Sequence, residues 1–432
     1  MVRVRPLFFS ACMLGFAAVA CAQPTFSNEI VRIMQAKCQQ CHHPNDIAPF
    51  SLLTYDDASN WADDIRRVVN DKIMPPWKPV PGHGDFKGAY GLTDDERAAI
   101  IAWVDAGAPQ GDVSAMPDPL PDTGEWQLGY PDLVLQMPQM FDVPRAQDTY
   151  RCFVIPTGLD ADTYINAVQV LPGNKKIVHH VILYLDTSGA ADQLDGKDGT
   201  TGYPCWGGPG FDINANSLEA ILQGSFTLGG WVPGSRITPL PDDVGLFLPK
   251  TARIVMQVHY FPAGRPGPDQ TKLGLYFSKK PVDKRLRFFP LVNTSFKLEP
   301  GNADKLVTAS VAVPLAAHAV IMAPHMHLLG RQIQVEYKKI GQDWQDLILI
   351  NDWDFNWQGF YLYNDPVALP PFASVRLSCH FDNSENNPKN PNSPLKTVTW
   401  GEGTQDEMCL AFMGVTFDVE HLTSNFNRNP LR

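Results

Sequence analysis

The chain of 432 residues carries 46 acidic residues against 35 Lys and Arg, a formal net charge of -11, with 44% hydrophobic and 19% charged content. That length exceeds what one hydrophobic core organises and predicts two or three domains. The acidic balance and the lack of a long basic run exclude nucleic acid and anionic membrane surfaces as expected partners, while 33 Gly and 38 Pro favour a turn-rich, mainly β body.

Residues 1–22 read as a removable signal peptide. Arg3 and Arg5 form a positive n-region, Leu7 to Ala20 is apolar but too short to span a bilayer, and Ala20-Cys21-Ala22 offers a cleavage site before Gln23. Ala18-Val-Ala-Cys21 reads alternatively as a weak lipoprotein box. No later stretch is long and apolar enough for a transmembrane segment, so a soluble periplasmic or secreted protein is expected. Of eight cysteines, Cys12 and Cys21 fall in the leader and Cys38 and Cys41 in a motif treated next. Cys152, Cys205, Cys379 and Cys409 remain; an even number in an oxidising compartment predicts two disulfides.

Residues 25–112 read as a small helical domain. Ser27 is placed to cap a helix with Ile30, Ile33 and Met34 on its apolar side, running into Cys38-Gln-Gln-Cys41-His42. C-x-x-C-H is the attachment signal for heme c: two thiols form thioethers and the histidine supplies an axial nitrogen. The competing readings are a C-x-x-C redox pair or half a zinc site, and the chain lacks a second C-x-x-C to complete the latter. Met74, in Ile73-Met-Pro-Pro-Trp77, is expected as the second axial ligand, with His43 and His83 as competitors and Met34 assigned to the core. A capping box of Thr93 and Glu96, a staple position at Leu92 and Gly107 beyond the last turn mark a closing helix with Ile100 and Trp103 on one face. From Cys38 through the Leu92 to Pro109 helix, this segment resembles a class I cytochrome c.

Residues 113–125, rich in Pro and Asp, read as a linker. Short apolar stretches separated by turn residues follow: Leu133 to Leu135, Tyr164 to Val170, Ile177 to Leu185, Ile254 to Tyr260, Leu273 to Phe277, Val307 to Val313, Ala319 to Ala323 and Gln332 to Tyr337. This pattern predicts antiparallel β-sandwiches, split near Lys280-Pro281 into 126–281 and 282–432.

Three histidine groups lie in this body: His179-His180, His259, and His325 with His327. His325 and His327 share a strand face, whereas adjacent His179 and His180 face opposite ways unless their strand bulges or ends. A lone strand histidine such as His259 is commonly a hydrogen-bonded core residue, and a lone methionine such as Met408 a core side chain. Two imidazoles plus a thioether suit copper, because soft sulfur selects Cu(I).

The ordered set His179-His180, Gln257-x-His259-Tyr260, His325-x-His327 and Glu407-Met408-Cys409 closely resembles the copper type II, ascorbate-dependent monooxygenases, which include peptidylglycine alpha-hydroxylating and dopamine beta-monooxygenase. The resemblance runs from about Trp126 onward. It implies a mainly β fold with two jelly-roll β-sandwich domains, here preceded by the small all-α cytochrome c domain. It implies two copper ions: an electron-transfer copper at His179, His180 and His259, and an oxygen-binding copper at His325, His327 and Met408. It also implies the disulfides Cys152–Cys205 and Cys379–Cys409, places Gln257 near the first copper, and leaves His318, His380 and His421 as structural or surface residues. The implied activity is hydroxylation of a C–H bond of a small organic substrate with O2.

Two departures matter. Peptide-amidating members carry an arginine where this chain has Ala323 and a tyrosine where it has Phe412. Loss of a cation and a hydroxyl argues for an uncharged or differently anchored small molecule. The heme segment suggests that a cytochrome feeds electrons to copper, supplied in turn by a periplasmic redox protein or an ascorbate-like reductant. A non-catalytic copper- and heme-binding protein, in electron transfer or copper handling, is the alternative; a blue-copper version would need a cysteine thiolate.

Overall fold

The computed structural model describes residues 23–44, 46–121, 124–144, 148–213, 226–261 and 267–423; the expected signal peptide at 1–22 lies outside them. The chain divides into two compact units.

The helical unit comprises residues 23–43, Phe50–Met74 and Leu92–Pro119. Its first helix starts earlier than predicted. Thr25 takes the cap position before Phe26–Ile30 and Val31–Lys37, and its own N–H donates to Glu29 at 2.9 Å. Ser27, predicted as the cap, is instead fully buried. Phe26 is buried at the same turn, and that apolar burial pulls the chain into helix one position ahead of the expected cap. The capping box of Thr93 and Glu96 forms as expected, with Thr93 N–H donating to Glu96 at 2.8 Å, and opens the helix Asp94–Asp105. Phe26, Ile30, Met34, Ile65, Ile100 and Trp103 make the core.

The predicted helical span of 25–112 is interrupted. Pro75–Gly91 belongs to the β unit. Val80 N–H donates to Leu349 O at 2.8 Å, Lys87 N–H to Leu362 O at 2.7 Å, and Phe86 bridges Tyr363 and joins the β core. Burial of Trp77 and Phe86 against Tyr361 drives this strap onto the sandwich.

The β unit holds two pairs of facing sheets. In the first pair, Tyr203–Pro204, Thr149–Pro156, Arg253–Tyr260, Val178–Asp186 and Thr227–Trp231 form one sheet; Leu133–Gln136, Lys272–Phe277, Thr163–Leu171, Val244–Leu248 and Lys284–Arg285 form the other. In the second pair, Arg287–Asn293, Cys409–Phe417, Ala317–His325 and Tyr361–Leu369 face Lys305–Ala312, Ser374–Phe381, Gly330–Lys338 and Gln345–Ile350. Each predicted strand is present. The disulfides Cys152–Cys205 and Cys379–Cys409 are both formed.

The two sandwiches share apolar surface. Leu286, Phe288, Val320 and Leu362 come from the second sandwich or its entry, yet they join the core of the first. The sheet containing Ala317–His325 is therefore buried on both faces, which locks the two sandwiches together. Leu286 is 1% exposed and also donates its N–H to Gly245 O at 2.9 Å. Leu286→Ala is expected to cost about 2–5 kcal/mol, read as a lower denaturant midpoint by tryptophan fluorescence. A midpoint equal to the parent's would show that this seam bears no stability.

Candidate metal centres

The strand Val178–Asp186 pairs with Arg253–Tyr260 in antiparallel register, but the register slips between Val178 and His180. His179 is the extra residue. This bulge breaks the alternation that would send neighbouring side chains to opposite faces. His180 then lies directly across from His259, and Tyr150 lies across from His259 on the other side.

The result is a cluster in which ligand atoms of His179, His180 and His259 all lie within 4.8 Å of one another. His179 Nδ1 and His180 Nδ1 are 3.2 Å apart. The Tyr150 ring stacks on His259 at 4.2 Å, and Phe355, from the second sandwich, stacks on His179 at 4.6 Å. His259 is 1% exposed and, among the described residues, neither ring nitrogen has a hydrogen-bond partner; Asp148 Oδ1, at 3.6 Å from Nε2, is an ion-pair neighbour beyond hydrogen-bond length. Two orphaned nitrogens in a buried ring cost free energy unless something else takes a lone pair. The common core-histidine reading requires a hydrogen bond, and among the described residues His259 makes none.

The second set rests on another slip. Ala317 and Ala319 face the core of the second sandwich, as alternation requires. The register then shifts between Ala319 and Ile321, so Val320 and Ile321 turn to the first sandwich and Met322 returns to the second core. Past this bulge Ala323 and His325 point outward. Ala323 pairs with Phe412 and His325 with Leu410. Cross-strand partners share a face, so Met408, two residues before Leu410, falls on it too. Cys409 takes the opposite face and reaches Cys379 in the core. The adjacent methionine and cysteine are thus separated by the pleat alone.

Ala323, His325, His327, Met408, Leu410 and Phe412 line one cavity of about 170 Å³ together with His180, Tyr150 and Gln257. The His325 and His327 rings are 5.1 Å apart, and His180 lies 6.5 Å from His325. His325 Nδ1–H donates to Gln358 Oε1 at 2.5 Å, and Gln358 Nε2–H donates to Phe355 O at 2.9 Å, which fixes the amide's direction. His327 Nδ1–H donates to Asp406 O at 3.0 Å. Both bonds leave Nε2 as the available nitrogen. Gln358 escaped the sequence reading, since a glutamine 33 positions from His325 gives no local signal.

Glu407 also escaped a role. It is fully buried and accepts the N–H groups of His327 at 2.9 Å, Leu329 at 2.5 Å and Met408 at 3.2 Å. One carboxyl thus clamps the His-x-His turn to the methionine. At Gly330, which ends that turn, a Cβ would lie 2.9 Å from Met326 and Trp353. Gln257 is 2% exposed; its Nε2–H donates to Cys205 O at 2.9 Å, anchoring the amide beside the disulfide. His318, His380 and His421 pair with Asp418, Asp304 and Asp283, at 2.7, 2.8 and 3.1 Å.

In the helical unit, Cys38 and Cys41 are half-buried and take no part in either disulfide. His42 Nδ1–H donates to Phe50 O at 3.2 Å, leaving Nε2 available; burial lowers its pKa against that bond. Met74 is half-buried, its N–H donating to Val68 O at 3.1 Å. His83, the competing ligand, sits in the β unit with Nδ1 2.6 Å from Asp346 Oδ2.

Burial dominates the electrostatics. It lowers His179 and His327 to about 3, His325 to about 4, and His180 well below the usual imidazole value; neighbouring imidazoles add to the effect at all four, while the Gln358 bond at His325, the Asp406 carbonyl at His327 and the Asp148 charge near His179 oppose it. All four are neutral at pH 7 and offer lone pairs. An unfolded histidine titrates near 6.5, so below that pH the unfolded chain binds more protons than the folded one, and metal-free stability falls as pH drops from about 6.5 towards 4. Glu407, pushed up to about 8 by burial, acts in the opposite sense, one carboxyl against several imidazoles. Thermal melts of metal-free protein are expected to show this loss; a melting temperature that stays flat between pH 7 and 5 would contradict it.

Residues 305–421 match the family model for the copper type II ascorbate-dependent monooxygenase, C-terminal domain. The DBH-like monooxygenase protein 1 of Mus musculus is 26% identical over 310 residues, covering 66% of this chain and 47% of that protein. Its Gallus gallus counterpart is 23% identical over 298 residues, covering 63% and 45%. The chain therefore spans about half the length of the curated relatives it matches. Among solved structures, the major capsid protein P2 from bacteriophage PM2 covers 66% of this chain and 96% of its own at 12% identity, with a TM-score of 0.24. Among the described residues no helix is long and apolar enough to cross a membrane. Residues 305–421 are thus similar to the C-terminal domain of the copper type II ascorbate-dependent monooxygenases, and about two thirds of the chain is similar to DBH-like monooxygenase proteins.

Proposed function

We propose that the chain is an exported dicopper monooxygenase that hydroxylates a C–H bond of a small organic substrate, with electrons entering through a fused heme c. The observation that carries this reading is His259: a buried imidazole with both nitrogens unsatisfied, set among two further neutral imidazoles and beside a cavity that exposes two more and a thioether. Nitrogen and soft sulfur donors without added negative charge fit copper in its lower oxidation state.

His179, His180 and His259 would hold the electron-transfer ion; His325, His327 and Met408 would hold the oxygen-binding one. Copper, when bound, would supply the one-electron chemistry and O2 activation for R–H + O2 + 2e⁻ + 2H⁺ → R–OH + H2O. The chain's residues do the rest. Gln358 and the Asp406 carbonyl fix the two imidazoles' tautomers. Glu407 holds the turn against Met408. Gln257, tied to Cys205 O, shapes the wall and is proposed as a positioning residue. Both disulfides occupy the cysteines of the β unit, which speaks against a blue-copper site.

Among the described residues that line the cavity, the only charged side chain is Glu402, whose pKa burial raises. With Ala323 and Phe412 facing each other there, none of the described lining residues offers a cation to a substrate carboxylate. This supports the uncharged or differently anchored small molecule; turnover of glycine-extended peptides would overturn it.

Cys38, Cys41, His42 through Nε2, and Met74 are the residues that would hold the heme. The heme would store one electron for delivery to copper.

Gln358→Leu is expected to weaken copper binding at the His325 site about 10–100-fold in a chelator-competition titration, leaving the His179 cluster's affinity unchanged. Label from 18-O2 should appear in the product only with copper bound; copper-loaded protein that consumes no O2 with any of a metabolite library would favour the copper-handling alternative. Stopped-flow mixing of reduced protein with O2 and substrate should show heme oxidation in step with product, and heme that stays reduced during turnover removes its role as donor.

A further inference from the structure

We propose that Trp206 is the point at which a one-electron reductant of the ascorbate class delivers its electron to the His179–His180–His259 centre, with the Tyr150 ring as the bridge. Three rings in series carry this inference. Trp206 is 57% exposed and meets the Tyr150 ring edge-on, with centroids 5.0 Å apart. Tyr150, 6% exposed, lies nearly parallel to His259, 4.2 Å away with 8° between the planes. His259 is the buried member of the three candidate ligands; His179 and His180 are half-buried.

A single exposed apolar ring is ordinary on a protein surface, so exposure alone assigns nothing. The setting does. The short strand Tyr203–Pro204 pairs with Thr149–Pro156, Cys205 N–H donates to Tyr150 O at 3.2 Å, and the disulfide to Cys152 closes the corner. Trp206, next in the chain, is thereby held against the Tyr150 ring. The second sandwich fixes the same pair from its own side. Tyr150 O–H donates to Glu402 O at 3.0 Å, and a Cβ at Gly403 would stand 3.4 Å from the Trp206 ring.

Electron tunnelling decays exponentially with distance, and more steeply across gaps than through touching atoms. A fixed file of contacting rings is therefore the favoured route from solvent to a buried imidazole. Oxidation of a tyrosine near neutral pH requires its phenolic proton to leave. The Tyr150 hydroxyl donates to a backbone carbonyl, which cannot take that proton, so the ring acts as a bridge and is not itself oxidised. The step balances as ascorbate monoanion + Cu²⁺ → ascorbyl radical anion + Cu⁺ + H⁺, the proton passing to water. Its acceptor rests on the copper assignment of the proposed function; the route does not depend on hydroxylation. Phe261, 44% exposed with its ring 6.2 Å from His179, offers a competing entry through a looser contact.

The test is anaerobic mixing of the copper-loaded full chain with ascorbate, without substrate, the loss of the Cu(II) signal of the three-histidine centre being followed by freeze-quench electron paramagnetic resonance. W206L and Y150L are expected to lower the reduction rate constant roughly tenfold. W206F and Y150F, which keep a ring, should reduce much faster than their leucine counterparts, and F261L should match the parent. Copper affinity by chelator competition and the melting temperature should stay near the parent's in W206L, which carries the test should Y150L fail to fold or to bind copper. A W206L rate equal to the parent's, a W206F rate no faster than that of W206L, or an equal slowing in F261L overturns the proposal and leaves the copper centre standing. A chain that takes up no copper at these histidines overturns both this route and the monooxygenase reading. Slowed reduction in W206L, in a protein that hydroxylates nothing, would keep the route and sink that reading.

Discussion

Two one-residue slips in β pairing aim the side chains of the candidate metal centres. The bulge at His179 lets adjacent histidines converge, and the bulge at Val320 turns His325 outward from a strand whose first half faces the core. Alternation is strict in a regular strand, so a change of face needs an extra residue somewhere. Without the second slip, His325 would share the side of Ala317 and Ala319 and be lost in the apolar core.

Burial then does the chemical preparation. A low-dielectric setting disfavours protonated imidazole, so the cluster is neutral without any specific base to deprotonate it. The same burial would make a stray polar atom expensive, and most are satisfied: Gln358, the Asp406 carbonyl and the Glu407 clamp account for the second set. His259 is the exception: among the described residues neither of its ring nitrogens has a hydrogen-bond partner, which leaves both for other bonding.

The shared core explains why the two sets can stand so near each other. Phe288, Val320 and Leu362 fill the first sandwich's core from outside it, so the sandwiches are packed as one apolar body. Polar ties cross the same seam: Tyr150 O–H donates to Glu402 O at 3.0 Å and Thr404 O–H to Asp148 at 2.8 Å. A 6.5 Å separation between His180 and His325 follows from that packing.

Much of this was legible in one dimension. Alternating apolar runs determined the strands, the Thr93–Glu96 box determined its helix, and the cysteine count foretold two disulfides, because each is a local or arithmetic signal. Histidine types and their order marked the candidate donors. Tertiary structure alone decided the directions. Phe26 moved a helix start past Ser27, and Trp77 and Phe86 carried Pro75–Gly91 out of the helical segment, since burial of large rings outweighs local capping and loop preferences. Gln358 became His325's partner through a contact between residues far apart in sequence. No spacing rule encodes such contacts, because they depend on which faces two packed sheets turn towards each other.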